Sequence, residues 1–470
     1  MAEQWEKGKE WILLCEDYII SLEKIAAVFE GMEKKVHETF IDLCLKKEPS
    51  EEVRYMEYFD IWVKAFEQEY KAVVMTAAFS SAYGNYTNSA VKLRLFMQPY
   101  IDEYAESLGL PSKRSTIRLI LLMQALYNEL NEFSRKLFQS YKTLTEIGDI
   151  ETGPSAKETV YQEDKIRLYH YKSRQPQVSK TPLLIVYALV NRYYMTDLDE
   201  KRSLLSGLLD KGIDLYLMDW GYPDQGDRML DLDDYLNGYL NNCIDHICRA
   251  HNIPALNILG ICQGGTFSIC YTAMNPDKVK NLVTMVTPVD FHTEGNILGH
   301  MAKNIDVNGV IDALGNVSGE ILNRNFASLM PISLDFHKYI KGLDSLANPE
   351  DASFFLRMEK WINDSPNQCG EVIRQFVQDF YQQNKLVKNQ LQIGERRVDP
   401  KRITQPVLNV YATQDHLVPP AMSVALEKII SSKDYTEMPF NTGHIGMYVS
   451  SKSLKTVPPA VADWLTARDK

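Results

Sequence analysis

Apolar positions recur by threes and fours along the first hundred residues. Trp11, Cys15, Tyr18, Leu22, Ile25, Phe29 and Met32 form one series; after a break at Pro49-Ser50, Tyr55, Phe59, Trp62, Phe66 and Tyr70 form another. Each lays an apolar stripe along one helix face, which has to be buried against something. A third helix is predicted from about Thr87, past a break at Gly84-Asn85, to Leu108, where Gly109 and Pro111 supply the stop. A fourth places Leu119, Met123, Leu126, Leu130, Phe133, Leu137, Tyr141 and Leu144 on one face and closes between Gly148 and Pro154. Helix packing accounts for these stripes.

From about Val160 the pattern changes. Ile166, Leu168 and Tyr169 to Tyr171 read as strand, and Leu183 to Val190 is a continuous apolar run suited to a parallel strand buried on both faces. A helix over Ser203 to Lys211, a strand over Asp214 to Met218, a turn-rich stretch at Asp219 to Asp224 and a helix over Leu232 to His251 follow. Short strands are then predicted at Asn257 to Leu259 and Leu282 to Val286. Strand alternating with helix predicts an α/β fold with a mainly parallel sheet. The rhythm stops after Pro288 for about a hundred mostly helical residues and resumes at Val407 to Tyr411. An insertion there reads as a lid over the carboxyl ends of the strands.

Composition adjusts this picture in three ways. The 470 residues suggest two or three folding units at roughly 100–200 residues each. A net charge of −11 excludes a nucleic-acid binder, which needs a basic face. Residues 1–112 hold 20 Asp+Glu against 12 Lys+Arg, and only four of the 24 Gly, so an acidic helical segment precedes the α/β part. No apolar run approaches the roughly 18–20 residues of a membrane span, and acids stand where a secretory leader has a basic region. Seven cysteines without metal-ligand spacing fit reduced thiols and no metal, so a cytoplasmic protein is expected.

The candidate chemistry starts at Gly260-Ile-Cys262-Gln-Gly264-Gly265, between a strand and a helix. A nucleophile in that sharp turn needs glycine neighbours, and Cys262 stands where esterases have Ser. The helix N-terminus favours a thiolate, and the backbone N–H of Gln263 can supply half of an oxyanion hole. Triad partners are expected in the order nucleophile, acid, histidine. Asp415 follows the strand ending at Tyr411, and His444 follows in a Gly-flanked loop; His416 is a weaker candidate for substrate contact. A thiolate attacking a thioester keeps the acyl group activated, so this set suits acyl transfer from a thioester to an alcohol. A lid that excludes water would favour transfer over hydrolysis.

Six strings together resemble the catalytic subunit of class III polyhydroxyalkanoate synthases: the Cys262 motif, 282–291, Tyr-Ala-Leu-Val-Asn-Arg (187–192), Asp-Trp-Gly-Tyr-Pro-Asp (219–224), Arg-Met-Glu-Lys-Trp-Ile (357–362) and Gln-Asp-His-Leu-Val-Pro-Pro (414–420). The likeness runs from about Ile117 to the end of the chain. It implies an α/β-hydrolase fold over 156–470 with a helical lid at about 291–400, preceded by an all-helical domain over 1–112 and a helix and linker over 113–155. It further implies polymerisation of 3-hydroxyacyl-coenzyme A, most often 3-hydroxybutyryl-coenzyme A, with the growing polyester carried on Cys262 and His444 as base. Asp415 matches the third member, either orienting His444 or activating the incoming 3-hydroxyl. The second oxyanion donor is expected at Val190 or Asn191, in a loop where Tyr193 replaces the family's usual Pro. Coenzyme A thioester is substrate, so no cofactor is called for; a homodimer at the surface of polyester granules is implied. Residues 1–112 resemble part of the separate accessory subunit, notably at Ile61 to Glu67 and Ser107 to Pro111, so that help supplied elsewhere in trans would here act in cis by ordering the lid. The alternatives are a thioesterase or polyester depolymerase on the same fold, and a non-catalytic granule scaffold.

Overall fold

The computed structural model describes residues 2–45, 55–107, 150–175, 179–330 and 349–469. The predicted helix over 119–144, the break at Pro49 and the expected boundary at 112 lie outside them. The chain divides into two compact units. One takes the N-terminal helices together with 304–313 and 330–356, and the other takes 151–303, 314–329 and 357–470. The insertion is therefore shared between them, whereas the sequence pattern assigned it whole to the catalytic part.

In the first unit the predicted series fall on α1 (Ala2–Val28), α2 (Met32–Leu45), α3 (Tyr55–Val74) and α4 (Ala77–Ser107) and are half-buried at Cys15, Tyr18, Ile25, Phe29, Trp62, Phe66 and Tyr70, with Leu22 exposed. Phe29 stacks on Tyr70 and meets Phe79 edge-on, and Val36, Val63, Ala65 and Val74 are buried. The series that ends at Met32 crosses a turn at Gly31, whose φ of +80° suits glycine. The predicted break at Gly84 is absent: α4 runs through it. A Cβ there would stand 2.6 Å from the Asn304 Cβ, so Gly84 is small because the insertion packs on it.

The second unit is built on an eight-stranded sheet: β1 (Glu158–Glu163), β2 (Ile166–Tyr171), β3 (Leu183–Val186), β4 (Leu215–Asp219), β5 (Leu256–Ile261), β6 (Val279–Met285), β7 (Val407–Ala412) and β8 (Tyr435–Phe440). Their order is β1-β2-β4-β3-β5-β6-β7-β8. The pairs β1–β2 and β2–β4 are antiparallel and the rest parallel. Leu184 and Val186 of β3 enter the apolar core on one face, Leu183 and Ile185 the core on the other. Burial on both faces explains an unbroken apolar run, each side chain contributing about 1.5–3 kcal/mol. That run was expected to stay extended to Val190, yet β3 stops at Val186 and Tyr187 to Arg192 form a buried loop.

Helix α5 (Asn241–His251) packs beside the sheet, and α6 (Gln263–Met274) is buried along its whole length. The insertion carries α7 (Val307–Leu314), α8 (Pro349–Asn363) and a π-helical turn at Phe376–Gln382. The C-terminal α9 (Ser451–Thr466) closes the other face through Val457, Val461 and Leu465. No helix among the described residues is long and apolar enough to cross a membrane.

Candidate active site

Cys262 stands between β5 and α6 with φ +54° and ψ −126°, a strained conformation for any residue but glycine. Its N–H bonds the Met285 carbonyl at 2.9 Å, which ties the turn to β6. A Cβ on Gly264 would run into the Val186 and Tyr187 carbonyl oxygens, so glycine is obligatory where α6 passes the end of β3. The other sheet-side thiols, Cys243, Cys248, Cys270 and Cys369, are buried, and desolvation raises each of their pKa values.

The loop after β7 places Asp415, and the loop after β8 places His444. Nδ1 of His444 lies 2.7 Å from Oδ2 of Asp415. The Asp415 Oδ1 accepts from the N–H groups of Leu417 (2.9 Å) and Val418 (2.8 Å), and the carboxylate has no exposed surface. Cys262 lies near enough to His444 to favour its charged form. Burial alone would lower the imidazole's pKa; the Asp415 carboxylate and then Cys262 outweigh it and raise it to about 10. Three residues distant in sequence are thus brought together. His416 is half-buried in the same loop as Asp415, but the imidazole that bonds this carboxylate is that of His444.

Val190 and Asn191 lie in the buried loop beyond β3. Gln263 fixes that loop: its Oε1 accepts from the Leu189 N–H at 3.1 Å. Asn191 has φ +57°, and its side-chain amide donates to the carbonyls of Trp361 (3.3 Å) and Ile362 (3.2 Å) at the end of α8. Trp361 donates back to the Arg192 carbonyl at 2.8 Å. Arg192 is committed to Asp219 (2.8 Å) and to the Gly221 carbonyl, with its guanidinium over the Tyr222 ring. Sequence reasoning missed Tyr187 and Tyr448, both buried, and the half-buried Tyr381, each of which has its pKa raised by burial and by Cys262.

A thiol at a strand-to-helix turn, an acid and a histidine after the last two strands, and this strand order define an α/β-hydrolase. The alpha/beta hydrolase fold model matches residues 181–451. The poly-beta-hydroxybutyrate polymerase N-terminus model matches 115–207, and that of a poly(R)-hydroxyalkanoic acid synthase subunit matches 3–140. The chain is 53% identical over 345 residues to the poly(3-hydroxyalkanoate) polymerase subunit PhaC of Allochromatium vinosum, covering 73% of this chain and 97% of that one. Its counterparts in Thiocystis violacea (52%; 73% and 97% covered) and Synechocystis sp. (49%; 73% and 93% covered) are similar. The chain belongs to the poly(3-hydroxyalkanoate) polymerase family.

Proposed function

We propose that this protein polymerises 3-hydroxyacyl-coenzyme A, 3-hydroxybutyryl-coenzyme A foremost, into polyester through a covalent thioester on Cys262. One observation carries the reading: a cysteine occupies the strained turn after β5, and the loops after β7 and β8 bring a buried carboxylate within 2.7 Å of an imidazole whose charged form that cysteine favours. Cys262, as thiolate beside protonated His444, attacks the thioester carbonyl. The bond to coenzyme A breaks, and the departing thiolate takes the proton from His444. One thioester replaces another, so the acyl group keeps its drive. The 3-hydroxyl of the next monomer then gives its proton to neutral His444 while its oxygen attacks the acyl carbon, and the bond to Cys262 breaks. The lengthened coenzyme A thioester reacylates Cys262 as in the first step. No metal or cofactor enters these steps.

Asp415 acts by orienting His444: its Oδ1 is anchored by the N–H groups of Leu417 and Val418, which holds Oδ2 against the imidazole. The Gln263 N–H and an N–H of the loop after β3 receive the oxyanion. Leu189 N–H is taken by Gln263 Oε1, which favours Val190 or Asn191. The N-terminal helices serve as an accessory part in cis, a reading supported by Ser80 and Asn88 of α4, which hydrogen-bond to Asn304 and Asp306 of the insertion. The protein works in the cytoplasm at the granule surface, as a homodimer. Purified protein given 3-hydroxybutyryl-coenzyme A should release free thiol and develop turbidity together, and Cys262→Ala should do neither. Thiol release without turbidity would make it a hydrolase, and polymer from Cys262→Ala would make it a scaffold.

A further inference from the structure

Two buried tyrosine hydroxyls of the α/β unit, those of Tyr171 and Tyr448, find no hydrogen-bond partner among the described residues. Tyr171 has the Lys157 ammonium 5.9 Å from its ring centroid, and the groups that raise its pKa besides burial are Asp197, Tyr169 and Asp219. Tyr448 is different. It lies on the short helix Gly446–Val449 directly after His444, with its ring 6.0 Å from the imidazole in an edge-on arrangement and 1% of its surface exposed. Its hydroxyl is close enough to interact with Tyr187, Cys262 and Asp415. A buried donor without an acceptor destabilises a fold, and phenylalanine would fill the same space without that penalty. A hydroxyl kept there at a cost, beside the His444 imidazole, is a donor waiting for an acceptor that arrives with the substrate.

The acyl group supplies one. Its thioester oxygen is served by backbone N–H groups, and its coenzyme A sulfur leaves. The remaining oxygen is at the 3-position, two carbons beyond the carbonyl. We propose that the Tyr448 hydroxyl donates a hydrogen bond to the 3-oxygen of the acyl chain on Cys262, and so makes the site selective for 3-oxygenated acyl thioesters over plain alkanoyl ones. This rests on Cys262 being the nucleophile. A site built around a hydrogen bond discriminates against the analogue that cannot make it, because its buried polar group is then left unpaired.

The test is single-turnover acylation of the full-length protein by 3-hydroxybutyryl-coenzyme A and by butyryl-coenzyme A, read as coenzyme A release. Tyr448→Phe should cut the preference for the hydroxylated thioester about tenfold, mainly by slowing the reaction of that substrate, while its melting temperature holds or rises. Tyr448→Met should lose the same preference. An unchanged ratio in both variants overturns the role of Tyr448, as does a lower melting temperature with both thioesters slowed in parallel. Wild-type protein that releases coenzyme A from neither thioester overturns the reading of Cys262 itself.

Discussion

His444 lies between two groups that favour its charged form, and Asp415 is the stronger. With its pKa raised from 6.5 to about 10, the imidazole holds a proton at neutral pH. A raised value means that the folded state binds this proton more tightly than the unfolded chain does. The resulting stabilisation is complete below about pH 6.5 and fades as pH climbs through about 10. Asp415→Asn removes the main source of the shift, so the imidazole's titration midpoint, followed by NMR of the ring nitrogens, should fall well below that of the wild type. If Asp415 acts through His444, as proposed, acylation and chain extension should slow together, each by about a hundredfold or more. Loss of chain extension with acylation intact would assign Asp415 to the incoming hydroxyl instead.

At the scale of elements, the loop from Tyr187 to Arg192 depends on the end of α8. The Asn191 side chain donates to the Trp361 carbonyl while the Trp361 indole donates to the Arg192 carbonyl, and Asp364 accepts from the hydroxyls of Tyr194 (2.8 Å) and Tyr222 (2.7 Å). The backbone expected to hold the oxyanion is therefore positioned by the lid. Trp361→Phe takes the indole donor at 2.8 Å from the buried Arg192 carbonyl and leaves it the Met195 N–H at 3.3 Å, a loss of about 1 kcal/mol. It should lower kcat about tenfold or more with little change in KM, whereas an equal rise in KM would place Trp361 in substrate binding. None of this latch was legible in the sequence. Residues 183–190 carry one apolar texture, and burial alone demands that of a strand and of a covered loop alike, so nothing marked the end of β3 at Val186. The candidate residues Cys262, Asp415 and His444 stood out because their signals are local: glycines around a nucleophile, and an acid and a histidine each just after a strand. Tyr448 and Tyr381 carry no such mark, since a buried tyrosine is ordinary core until its neighbours are known.

At the scale of the whole molecule, one chain joins a match to a synthase subunit over 3–140 to an α/β-hydrolase over 181–451. The helices grip residues 304–313 of the insertion, a segment that belongs to their own compact unit. The Asn304 side chain donates to Ser80 Oγ at 2.9 Å, Asn88 accepts from the Asp306 N–H at 2.9 Å, and Gly84 lies flush against Asn304 between them. If this grip orders the lid, loosening it should slow catalysis with every residue around Cys262 unchanged. Gly84→Leu is the sharpest way to do so, because its Cβ alone would stand 2.6 Å from the Asn304 Cβ and 2.8 Å from the Asn304 carbonyl oxygen. The exchange also raises helix propensity by close to 1 kcal/mol, so α4 itself should be firmer and the helical circular dichroism undiminished. Polymerisation by Gly84→Leu should fall at least tenfold, and Asn88→Ala, which removes bonds without a clash, should fall less. Full activity in Gly84→Leu would mean that the helices help the reaction by some route other than their hold on the lid.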